Sequence, residues 1–196
     1  TDTGKVLVRT KVPPGPSRMA VTANGNNVLV LNVPTGQLSI ISTMNQKLIA
    51  CINVGPSPQF ITVAPDSKTA FVSCKSANHV VQVDLIRRLV VGQIKVGAGP
   101  TGLTLNHDGT KLFVACAKDN VIEEYDTISR AQLHSYKLPL DVDFPAAIAL
   151  EPDGRKLLVT SAATDTIGLL DLEKEQFSQI NIGRKSDEIV YLHARQ

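Results

Sequence analysis

Thiols, imidazoles, carboxylates and one glycine-rich stretch are the residues here that could do chemistry, and their spacing argues against most of it. Cys51, Cys74 and Cys116 contain no Cys-x-x-Cys pair, so neither a zinc knuckle nor a thioredoxin-type redox site is written. No Cys-x-x-Cys-His stretch offers covalent haem attachment, and no Gly-x-Ser-x-Gly elbow offers a hydrolase nucleophile. His79, His107, His134 and His193 are scattered and read as surface residues rather than a ligand set. "GAGPTG" at 97–102 spells Gly-x-Gly-x-x-Gly. That phosphate cradle needs a strand before it and a helix after it. Here a strand follows, and the glycines and proline are ordinary turn chemistry. No catalytic residue, metal site, cofactor or disulfide is expected on these grounds.

The cysteines point instead to architecture. "TAFVSCKSANHVVQVDL" at 69–85 returns as "KLFVACAKDNVIEEYDT" at 111–127, with Cys74 and Cys116 in the same slot. Val12, Val54, Val96 and Leu138 are 42 residues apart, and each starts a similar passage. Pro16, Pro58 and Pro100 follow, then alternating apolar runs ("MAV", "ITV", "LTL") and turns ("ANG", "PDS", "HDG", "PDG"). Three further short strands separated by polar links close each unit. Every segment is alternating or β-branched and none has helical period. Four strands in about 42 residues is the size of a β-propeller blade, whose apolar faces are buried only by stacking on neighbours. The reading is all-β: a propeller of four-stranded antiparallel blades, four of them complete, at 13–54, 55–96, 97–138 and 139–182. End strands are expected at 4–12 (an outermost strand) and 183–196 (an innermost one). Such a chain forms a partial ring, either part of a larger propeller or one completed by another chain. Cys74 and Cys116 then lie on adjacent blades, too far apart to bridge, and are expected as free, buried thiols.

The strand–loop–strand element "LFVACAKDNVIEEYDT" resembles the YVTN-type β-propeller repeat, an aromatic-Val-Thr-Asn strand, a loop and an Ile-Asp-Thr ending. Phe71-Val72, Phe113-Val114 and Leu158-Val159 match its start, and Asp84, Asp126 and Asp171 its end. The likeness covers almost the whole chain. It departs at Cys74 and Cys116, where the family has Asn, and at Ser42, where it has Asp. The resemblance implies kinship with surface-layer proteins, periplasmic propellers and relatives of lactonases and d1-haem domains. It also implies a periplasmic or extracellular home. No signal peptide is visible, and the first residue is Thr1. The once-per-blade Asp84, Asp126 and Asp171 are expected to accept turn hydrogen bonds rather than to catalyse.

Composition narrows the partners. Twenty basic against 18 acidic residues leave a net charge of +2, which lacks the dense basic face that nucleic acid demands. No apolar run approaches the roughly 20 residues of a membrane-spanning helix. Aromatics are only 4% and Trp is absent, so the core rests on Val, Ile, Leu and Ala.

In a propeller the loops entering each first strand and those between the second and third strands share one rim, over the central channel. That rule selects Arg18, Gln59 and Thr101 near the first strands, and Lys75, Asn78, His79, Lys118, Asp119 and Asn120 in the other loops. One unit deviates: Leu138 to Pro145 takes seven steps where Val96 to Pro100 takes four. The insertion brings Asp141 and Asp143, and insertions in one repeat map to a functional face. Two carboxylates are thin for calcium, which takes six to eight oxygens. The expected function is a non-catalytic binding or scaffold propeller whose rim loops meet a protein or surface partner. A lactonase-like or d1-haem-like enzyme or cofactor propeller and a structural cell-envelope protein are the alternatives.

Overall fold

A computed structural model describes residues 5–140, 142–164 and 166–181. Sixteen strands and no helix occur among them. They form four antiparallel sheets, each of four strands in sequence order. The first holds β1 (Pro16–Val21), β2 (Asn27–Asn32), β3 (Gln37–Ser42) and β4 (Leu48–Asn53). The second holds β5 (Pro58–Val63), β6 (Thr69–Cys74), β7 (His79–Asp84) and β8 (Leu89–Lys95). The third holds β9 (Pro100–Leu105), β10 (Lys111–Cys116), β11 (Val121–Asp126) and β12 (Gln132–Lys137). The fourth holds β13 (Pro145–Leu150), β14 (Lys156–Ser161), β15 (Thr166–Asp171) and β16 (Gln176–Asn181).

The outer strand expected at 4–12 is not there: residues 5–12 carry no strand and are mostly exposed. An outermost strand needs the third strand of its own blade to bond with, and no described segment supplies one. The inner strand expected at 183–196 lies outside the described residues, as does Asp141.

The turns follow from local chemistry repeated at the blade period. The tip between second and third strands needs a left-handed residue, supplied by Gly36, Asn78 and Asn120 (φ 63°, 51° and 52°). Asp84, Asp126 and Asp171 fold the next turn: each Oδ1 accepts two successive backbone N–H groups, from Ile86 and Arg87, from Ile128 and Ser129, and from Glu173 and Lys174. These bonds hold the Asp126 and Asp171 carboxyls below the usual carboxylate range.

Packing makes the sheets an arc. Consecutive first strands, β1–β5, β5–β9 and β9–β13, pack on one another, whereas the fourth strands splay apart. Gly102 shows how close the approach is: a Cβ there would lie 2.9 Å from backbone atoms of Ala146, Ala147 and Ile148 on β13. Between neighbouring sheets run three apolar seams. Leu29, Leu38, Ile61 and Val72 fill the first, Phe71, Val80, Leu112 and Val114 the second, and Phe113, Ile122, Leu157 and Leu170 the third. β1 and β13 have no comparable packing, so the arc formed by the described residues is open, and β1 leaves Met19 and Val21 exposed.

Candidate functional site

Each sheet enters the axis the same way. A left-handed residue (Gly15, Ser57, Gly99, Phe144) precedes a proline (Pro16, Pro58, Pro100, Pro145), and the first strand begins. The ladder to the second strand then slips, between Pro16 and Met19, Pro58 and Phe60, Val114 and Cys116, and Pro145 and Ile148. A bulge of this kind re-aims the side chains within it. Hydroxyls on the second strand serve the freed amides: Phe60 N–H donates to Ser73 Oγ and Ala147 N–H to Thr160 Oγ1 (both 3.0 Å). Arg18, Gln59 and Thr101 all lie in these slipped segments.

They converge. Arg18, Gln59, Phe60, Lys75, Thr101 and Phe144 line one cleft of about 340 Å3 at the axial rim, so all four sheets contribute to its lining. The Arg18 guanidinium sits 5.2 Å from the centre of the Phe60 ring, a cation–π contact that holds the long side chain in place. Thr101 is buried, and its hydroxyl donates to the Pro145 carbonyl (2.7 Å), tying the third sheet to the fourth beneath the cleft. Phe144, the last residue of the insertion, is 45% exposed. The charged residues in the lining, Arg18 and Lys75, are both cations.

The other rim residues stay outside the cleft and are occupied by the fold. Asn78 Oδ1 accepts the Gly99 N–H, and Asn120 Nδ2 donates to the Leu138 and Pro139 carbonyls. Asp119 Oδ2 accepts the Ala98 N–H at 2.6 Å. The Lys118 stem lies over Gly99. His79 covers Gly55, and its Nε2 is buried without a hydrogen-bond partner. Asp143 Oδ1 accepts the N–H of Phe144, shaping the insertion.

The sequence reading missed two buried carboxylates in "VIEEYD". Glu123 faces the second seam, where its Oε2 accepts from Gly97 N–H (2.8 Å), Tyr125 hydroxyl (2.8 Å) and Cys116 thiol (3.3 Å). Burial first, and the Glu123 charge second, push the Cys116 thiol far up. Burial, then the bond to Glu123, does the same to the Tyr125 phenol. Glu124 faces the third seam, paired with Lys111 Nζ (2.8 Å) and accepting from Tyr136 hydroxyl (2.9 Å). A cleft of about 480 Å3 opens there, but these polar groups already satisfy one another. Two adjacent charges inside a short strand were the available signal, since one residue must face each seam. Among the described residues no group of three His, Cys, Asp or Glu could hold a metal ion.

No family model and no curated protein sequence matches the chain. Its fold does match solved structures. The hydrazine synthase of Kuenenia stuttgartiensis superimposes with a TM-score of 0.79 at 22% identity, covering 91% of this chain and 53% of that one. A functionally unknown protein from Desulfotomaculum acetoxidans superimposes with a TM-score of 0.70 at 17% identity, covering 84% and 55%. The chain thus spans about half the length of each. With its four-stranded sheets packed through their first strands, the protein has a β-propeller-like fold. Among the described residues no helix is long and apolar enough to cross a membrane.

Proposed function

We propose that this is a non-catalytic binding propeller of the YVTN type that presents its axial rim to a protein partner. The observation that carries it is the cleft itself, where side chains from all four sheets meet at the rim that propeller topology assigns to ligands. The resemblance of the repeats adds a periplasmic or extracellular setting. The ring is completed by further blades, from a second chain or from the same polypeptide. The open arc and the exposed Met19 and Val21 support that part of the reading, because apolar surface left open favours association.

The test compares three forms of the purified protein as bait for exported proteins: wild type, Arg18→Ala with Lys75→Ala, and Arg155→Ala in the other cleft. A captured partner is then purified and titrated back. Loss of its binding in the rim variant alone is the expected result. A saturable partner whose affinity is untouched by the rim variant overturns the assignment.

A further inference from the structure

On the face opposite the axial rim, two seams open as clefts of the same build. Slot for slot, Asp66, Phe71 and Gln82 in the second seam become Asp108, Phe113 and Glu124 in the third, 42 residues on. The second cleft, about 390 Å3, has a guanidinium across it. Arg130 reaches over from the third sheet to Gln82 Oε1 and the Val91 carbonyl, above Gly92. The residue that sends this guanidinium is left-handed and closes the turn into the fourth strand (φ 62°). Its counterparts in the first, second and fourth sheets are Gln46, Arg88 and Glu175 (φ 57°, 59° and 53°). The fourth sheet therefore presents a carboxylate where the second and third present a guanidinium. Glu175 meets His134 (3.1 Å), which stands where the second sheet has Gly92. The neighbouring Lys174 pairs with Asp171 (3.6 Å). The third seam thus lacks the arginine that crosses the second, and its cleft is larger, about 480 Å3.

What lines that cleft suits a cation with an apolar neighbour. Leu150 and Leu172 on the fourth sheet, packed against Phe113 and Tyr136, give it an apolar wall. Lys111 is matched by Glu124 (2.8 Å). That leaves Asp108, Asp153 and Glu173, all exposed, against Arg155 as the one other Lys or Arg in the lining, beside His107. Asp108 and Asp153 spend Oδ1 within their own turns, accepting from Thr110 and from the Arg155 N–H, which leaves Oδ2 of each for a ligand. None of the lining residues adjoins an undescribed residue in sequence.

We infer that this cleft docks an arginine carried by a segment of a partner protein. Its guanidinium lies among Asp108, Asp153 and Glu173, and an adjoining apolar side chain lies over Leu150 and Leu172. The partner's arginine does at the third seam what Arg130 does at the second. Because His134 fills the place of Gly92, the guanidinium is held at the mouth by carboxylates rather than on the β12 backbone. A planar fork matches carboxylates in a way that an ammonium point charge does not. This face is distinct from the axial rim, and the inference does not rest on the rim's role.

The probe is a short peptide alternating Leu and Arg, titrated calorimetrically into the purified chain. A Leu–Lys peptide, a Leu–Glu peptide and free arginine serve as comparisons. Saturable binding of Leu–Arg is expected, several-fold weaker for Leu–Lys and absent for Leu–Glu. Asp153→Asn with Glu173→Gln should weaken it about tenfold, the scale of one charge-assisted contact, at an unchanged urea midpoint. Asp66→Asn with Asp84→Asn removes the same charge elsewhere on that face and should leave the affinity as it was. Equal weakening by the two pairs, or equal affinity for Leu–Lys, reduces the effect to general charge attraction and overturns the inference. So does free arginine binding as tightly as the peptide, which makes this a small-molecule site. Unchanged affinity in Asp153→Asn with Glu173→Gln, or no saturable heat with Leu–Arg at millimolar peptide, overturns it as well.

Discussion

Gly92 on β8 sits beneath a side chain from the next sheet. A Cβ at Gly92 would lie 2.2 Å from Arg130 Cζ and 2.6 Å from its Nε, far inside van der Waals contact. Arg130, left-handed at φ 62°, reaches back across the seam. Its Nε donates to Gln82 Oε1 (3.0 Å) and its Nη2 to the Val91 carbonyl (3.1 Å). Gly92→Ala must displace the guanidinium and forfeit both bonds. At about 0.5–1.5 kcal/mol each, and with Arg130 exposed, the loss is about 1–2 kcal/mol. Against it stands a gain of roughly 0.5–1 kcal/mol from replacing a strand glycine by alanine. Gly92→Ala should therefore cost between about zero and 1.5 kcal/mol in the wild type, yet be stabilising by roughly 0.5–1 kcal/mol in Arg130→Ala. The chain contains its own comparison: where the first sheet has Ala50 opposite Ile40, Arg88 reaches the Ile49 carbonyl only at 3.5 Å. Urea unfolding of the four proteins closes the cycle, with an expected coupling of about 1–2 kcal/mol. An equal cost of Gly92→Ala in both backgrounds would refute the latch.

Other perturbations test the remaining contacts. Gly102→Ala forces a Cβ against the β13 backbone, which cannot give way as a side chain can. The expected cost is about 1–3 kcal/mol by urea unfolding, and a neutral result contradicts the close approach of the first strands. Glu123→Ala strands the Gly97 N–H and leaves the Cys116 thiol without its carboxylate, while the Tyr125 hydroxyl keeps the Lys95 carbonyl (3.2 Å), for a loss of about 1–3 kcal/mol by urea unfolding. In the native state Ellman's reagent should titrate only the exposed Cys51, with Cys74 and Cys116 reacting after denaturation. Burial lifts the Cys74 thiol to about 11. Because its folded value is raised, that contribution is present below the unfolded thiol range near 8.5 and fades as pH rises from there towards 11. Asp108, Asp126 and Asp171 act at the other end, with folded values lowered by hydrogen bonds. Their contribution is present above about pH 4 and lost as pH falls through the folded values. Replacing all three by Asn should flatten the acid limb of the stability profile.

The blade architecture was legible because a propeller blade is a run of local hairpins, so each turn residue recurs in sequence at the period of the fold. The rim followed from topology, and Arg18, Gln59, Lys75 and Thr101 do line one cleft. Asn78, Asn120 and Asp119 were harder. Their chemistry suits a ligand or a turn equally, and only the left-handed positions and the Gly99 and Ala98 amides show that turns claim them. The 42-residue spacing from Gly36 to Asn78 to Asn120 was the missed signal. Glu123 and Glu124 escaped because charge in a strand reads as solvent-facing, whereas the third strand of a sheet flanked by two others, as β11 is, has a packed seam on each side. Phe144 hid in an insertion whose aspartates drew attention first. Its left-handed backbone stands out only by comparison with Gly15, Ser57 and Gly99, which take the same conformation with small side chains.

Amide hydrogen exchange of the chain, with and without its purified partner, tests most directly whether the axial rim is the binding face. Slowed exchange at 15–19, 57–60, 99–102 and 143–147 is the predicted footprint. Slowing confined to the opposite turns at 43–47, 85–88 and 127–130, with the rim unchanged, would contradict it.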